Sequence, residues 1–248
     1  MPDDFTVGGY EALLRALSDH GYVSRRYQDV DPARRDVVLR HDIDFSPVHA
    51  LAQADVEASL GMRASYFFLT RTTFYEIESE STLSVMRRLT DLGHEVALHF
   101  DAALYPDDPA VLDREAAREC AILEGLLGKP VEVLSFHRPA KSLLNCSGAV
   151  GGRIHTYQPR FFKEIGYCSD SRGLWRFGAP LDHPAVREGR AIQLLTHPIW
   201  WSHDTPRTRD AVLADLAAGK GAEFRAAIAE TVTGYDPETG VIHDDAKG

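Results

Sequence analysis

Four apolar segments of this 248-residue chain each run into an imidazole. Val37-Val38-Leu39 leads to His41-Asp42-Ile43-Asp44, and Glu95-Val96-Ala97-Leu98 leads to His99-Phe100-Asp101. Val131 to Phe136 leads to His137-Arg138-Pro139, and Ala191 to Thr196 leads to His197-Pro198-Ile199-Trp200-Trp201. One histidine after a strand is commonplace. Four of them, on separate strands, make the pattern of a barrel whose strand ends build a site. In α/β folds ligands lie beyond the carboxyl ends of the strands.

The segments between these strands have helical periodicity. Residues 8–21 place Tyr10, Leu13, Leu14 and Leu17 on one face, and 22–35 is a polar connection. A strand over about 36–42 is followed by a helix over about 47–60, stopped by Gly61. Ala64 to Leu69 is an aromatic-rich strand, and Ser81 to Leu92 is a helix stopped by Gly93. Asp108 and Pro109 open a helix that runs to Leu127. Between Pro139 and Arg160 the pattern fails, leaving a loop of about twenty residues, which in a compact domain is either functional or a surface insertion. Gly166 to Ser171 reads as a short strand, and the last helices fall between about 207 and 232. Strand–helix alternation predicts a parallel sheet with helical crossovers, here as a single α/β domain over 1–248.

Side chains two apart in a strand share a face, so Asp42 and Asp44 should project into one cavity. Two adjacent carboxylates repel unless a cation or an arginine lies between them. A metal held by one, with the other as proton acceptor, resolves the conflict and gives a hydrolytic site. The competing reading is helix capping, because Ser46-Pro47 has the form of a helix start.

The formal net charge of −10, with no long Lys/Arg cluster, argues against nucleic acid as a partner. No apolar run approaches the roughly 18 residues of a membrane span. Met1-Pro2-Asp3-Asp4 is acidic and lacks the form of a secretory signal. Cys120, Cys146 and Cys168 are odd in number and lack metal-type spacing, which fits free thiols in a reducing cytoplasm.

The order HDID, GHEVALHFD, SFHRP, SDSRGLW and LLTHP resembles the NodB-homology polysaccharide deacetylases, carbohydrate esterase family 4, over about residues 36–200. The resemblance implies a distorted (β/α) barrel and metal-dependent removal of an acetyl group from a sugar. It makes Asp42 the catalytic base, Asp44 and His99 metal ligands, Arg138 the arginine orienting the base, and His197 the late acid. Asp170 and Trp175 match the aspartate and tryptophan that support that histidine. The first motif carries one extra residue between its aspartates. The family's second metal histidine falls on Ala103, which has no ligand atom. Asp101 and His137 are the two replacements, and His137 is favoured. Asp44, His99 and His137 would offer zinc two nitrogens and an oxygen, with a fourth position open for water. Trp200 and Trp201 are candidates for a sugar-stacking platform. The expected activity is deacylation of an N-acetylated sugar, glycan precursor or glycosylated metabolite in the cytoplasm. Its rivals are another amide or C–N hydrolase on the same scaffold and, given Ala103, a metal-free carbohydrate-binding protein.

Overall fold

In the computed structural model the described residues are 4–144, 146–176 and 178–243, so the opening Met1-Pro2-Asp3 lies outside them. The chain divides into two compact units, Met1–Pro206 and Arg207–Gly248. The first carries α1 (Val7–Asp19), β1 (Val23–Ser24), β2 (Asp36–Ile43), α2 (Ala50–Ser59), β3 (Ala64–Phe68) and α3 (Glu80–Asp91). It continues with β4 (Glu95–Phe100), α4 (Pro109–Leu127), β5 (Val133–Phe136), β6 (Ile154–His155), β7 (Gly166–Ser169), α5 (Pro184–Arg187) and β8 (Ile192–Thr196). The second unit holds α6 (Arg209–Thr231), whose first turn is capped by Thr208, and a turn closed by a bridge between Tyr235 and Ile242.

The strands are ordered β6-β5-β4-β3-β2-β8-β7, every pair parallel, with β1 beside the first residues of β2. This is the curled, open half-barrel expected of a distorted (β/α) barrel. β2 lies in its interior, between β3 and β8, and is buried along its whole length, as strands covered on both faces are. The capping signals act where the sequence places them: Asp108 accepts from the amides of Ala110 and Val111, and Pro109 opens α4. Gly61 and Gly128 take positive φ (67° and 63°) to end α2 and α4, a conformation open to glycine at little cost.

Two strands lie where the sequence shows no strand. β1 sits inside the polar connection, and β6 sits inside the segment after Pro139, which is also closed by a bridge between Val150 and Arg153. Each is two residues long, too short for a period-2 pattern. The three cysteines are free thiols. Among the described residues no helix is long and apolar enough to cross a membrane.

The registers sort β2 into two faces. Val38 packs with Phe67, Ala97, Val133 and Phe161 in the barrel interior. Arg40 and Asp42 follow on the same face, toward the carboxyl ends, and Asp44 lies beyond them. His41 turns the other way, toward Glu57 of α2 and Thr196 of β8.

Candidate metal centre

Three strand ends bring Asp44, His99 and His137 together, one ligand atom from each lying within 4.8 Å of the others. His99 Nε2 and His137 Nδ1 are each 3.2 Å from Asp44 Oδ1. That oxygen is buried, and neither imidazole meets it in good hydrogen-bond geometry. A buried carboxylate oxygen without a donor is costly unless a cation answers it. Two imidazole nitrogens and one carboxylate oxygen are a donor set suited to a catalytic divalent ion with an open position. The residues present therefore fit such an ion. His99 Nδ1 is tied to Ser135 Oγ at 2.6 Å, which fixes the ring and aims Nε2 at the cluster. The backbone amide of His137 donates to the Phe100 carbonyl at 3.0 Å, anchoring the end of β5 to β4.

Burial drives the Asp44 carboxyl upward, but the imidazoles of His137 and His99 and the charge of His197 outweigh it and hold the group well below its ordinary range. Asp42 lies beside the cluster, its Oδ2 3.5 Å from His99 Nε2. Burial acts against its charge as well, and Arg40 overcomes that, leaving Asp42 below its ordinary value. The Arg40 guanidinium, 1% exposed, grips Asp42 in a fork: Nε donates to Oδ1 at 2.9 Å and Nη2 to Oδ2 at 2.8 Å. The rings of Phe67 and Tyr157 lie 5.6 and 5.7 Å from it.

His197 completes the group. Its Nε2 is 3.7 Å from Asp44 Oδ2, and its Nδ1 is 2.6 Å from Asp170 Oδ1. Burial lowers the imidazole, the Asp170 charge more than restores it, and the result is raised to about 9. Asp170 is itself held by the His197 backbone amide and by Trp201 Nε1, which donates at 2.7 Å.

Two sequence expectations need correction. Arg138 does not reach Asp42. It is bound to Asp101, Nη2 to Oδ2 at 2.5 Å, while Arg40 holds Asp42 from two residues upstream on the same strand face. Asp101 also accepts from the Ala103 amide and so is engaged outside the three-ligand cluster. Trp200 and Trp201 are not an exposed platform: they are 8% and 2% exposed. Trp201 packs against Phe5, Tyr10 and Trp175 and donates to Asp170, the carboxylate that holds His197. Arg40 was the missed residue. Its signal was a charge inside an apolar strand, two residues before an aspartate.

A cleft of about 480 Å³ opens onto the centre. Asp44 and His137 line it with Phe45, Phe74, Leu69 and Leu104. Phe45 and Phe74 meet edge to face at 4.9 Å and form an aromatic wall of the cleft.

No protein family profile and no curated protein matches this sequence. Among solved structures, the chain is similar to the Streptococcus pyogenes deacetylase PplD in complex with acetate (TM-score 0.45, 15% identity, 79% of this chain and 83% of that one). It is similar to a family 4 carbohydrate esterase from Bacillus anthracis (TM-score 0.45, 16% identity, 84% and 86%). It is also similar to a CE4 family pseudoenzyme from Bacillus anthracis (TM-score 0.41, 12% identity, 76% and 63%). Likeness at this level leaves the chemistry to be read from the side chains themselves.

Proposed function

We propose that this chain is a metal-dependent hydrolase that removes an acetyl or similar acyl group from an acylated amino sugar. One observation carries the reading. An aspartate–histidine–histidine ligand set is flanked by a carboxylate held ionised and by an imidazole held charged. A divalent ion held by Asp44, His99 and His137, zinc being the best match to that donor set, would supply Lewis acidity toward water and the acyl carbonyl. Asp42, kept ionised by Arg40, accepts the proton of the attacking water. His197, whose imidazole Asp170 favours in its charged form, gives its proton to the departing amine. Asp170 keeps that imidazole in one orientation through Nδ1, leaving Nε2 for the reaction. The apolar wall of Phe45 and Phe74 can take a sugar face, and the cleft's volume is within the range of small-ligand sites.

The test is acetate release from a panel of N-acetylated sugars, with and without a chelator. Release that stops on chelation and returns with added zinc is expected. A protein that carries stoichiometric metal and releases no acetate from any member would overturn deacetylation.

A further inference from the structure

Two arginines line the cleft, and only one has its charge answered there. Arg138 is bound through Nε and Nη2 to Asp101. Arg71 faces the same cleft with no carboxylate within ion-pair distance among the described residues. Its Nη1 donates to the Tyr105 hydroxyl at 3.1 Å, and its guanidinium carbon lies 5.5 Å from the centre of the Tyr105 ring. Tyr105 is itself fixed. It stacks on Phe100 at 12° and 5.5 Å, and its hydroxyl donates to Glu119 Oε1 at 2.5 Å. The carboxylates nearby are engaged elsewhere: Glu119 by Tyr105 and Thr70, Glu115 by Arg114 and Arg118. Arg71 is therefore a positioned guanidinium with free donors, beside Thr72 and Thr73 and on the same cleft as the ligands Asp44 and His137. A planar guanidinium fork suits a phosphate or carboxylate better than a hydroxyl.

We propose that Arg71 is a specificity-determining residue that selects an oxyanion, a phosphate or a carboxylate, carried by the acylated sugar. The substrate class narrows to anionic acylated sugars. This rests on the reading of the site as a sugar deacylase, and binding can be measured apart from turnover.

The experiment is calorimetric titration of the purified protein and of Arg71→Gln with N-acetylglucosamine, N-acetylglucosamine 1-phosphate and N-acetylmuramic acid. At least one charged sugar should bind about tenfold or more tighter than the neutral one, which corresponds to about 1.4 kcal/mol. The phosphate or the muramic acid leading identifies which oxyanion is read. Arg71→Gln should erase that advantage without changing bound metal, because any direct affinity of the oxyanion for the ion is common to both proteins. Equal binding of all three sugars, an advantage that survives in Arg71→Gln, or no binding at all overturns the proposal. Acetate release is scored separately. An Arg71-dependent preference without acetate release would remove the deacylase reading and leave the oxyanion site standing.

Discussion

Two clusters of buried ionisable side chains lie back to back across β2, and they are finished differently. On the helix side, Glu57 is answered on both oxygens: Tyr10 donates at 2.5 Å to Oε1 and Tyr66 at 2.7 Å to Oε2, with His41 at 2.7 Å and His94 at 3.6 Å. On the barrel side, three imidazoles surround the Asp44 carboxylate, none of them in good hydrogen-bond geometry with Oδ1, and a cleft reaches it. The same strand thus presents His41 to a closed network and Asp42 to an open one. A buried carboxylate that accepts from two tyrosine hydroxyls away from any cleft holds elements together, whereas one that lies among imidazoles at a cleft is placed to hold a ligand. The contrast explains why four histidines near strand ends do not share one job.

The two sides should break in different assays. The largest effect is expected for Asp42→Asn, which keeps the proposed ligand set and removes the proposed proton acceptor. Turnover should fall about 10²–10⁴-fold, in kcat more than in KM, with bound metal retained. Steady-state acetate release and elemental analysis on the same sample check this, and near-normal kcat would refute the assignment. On the closed side, Glu57→Ala should cost about 3–5 kcal/mol of stability, because it leaves His41 and His94 buried without their partner. Urea unfolding reads that loss, and Asp44→Asn should by contrast keep a cooperative transition while losing the ion.

A finer test concerns which arginine serves the base. Arg40→Lys keeps the charge but loses the fork, and a misplaced base should cost about tenfold or more in kcat. Arg138→Lys should cost less, because Arg138 touches Asp101 and not Asp42. The reverse order would restore the role that the sequence suggested. The smallest effect is in the pH dependence of stability. Burial raises Glu57, but His41, His94 and Tyr10 more than compensate, so its folded value lies below the ordinary 4.5. Its contribution is present above that ordinary value and is lost as pH falls through the lower folded one. Urea midpoints measured downward from about pH 6 should decline, and less steeply in Glu57→Gln.

Much of this was legible because period and punctuation agree. β2, β4, β5 and β8 are largely apolar runs with a histidine close to or just past their carboxyl ends, and α4 begins at Pro109 and ends at Leu127 as its caps dictate. His137 was visible as a ligand candidate because it ends a strand adjacent to that of His99. Arg40 was not, since a buried arginine is rare and its value depends on a partner two residues away on the same face. Trp201 was misread because sequence spacing does not tell an exposed aromatic from one packed under a strand end. β1 and β6 left no trace, as two paired residues carry no periodicity.

The central claim is that Asp44, His99 and His137 together hold one divalent ion. Elemental analysis of protein equilibrated with zinc and then dialysed tests it most directly, in parallel with His137→Ala and Asp101→Asn. One ion per chain is expected in the unmodified protein and in Asp101→Asn, and none in His137→Ala. No stoichiometric metal in the unmodified protein, or metal retained in His137→Ala and lost in Asp101→Asn, would contradict it.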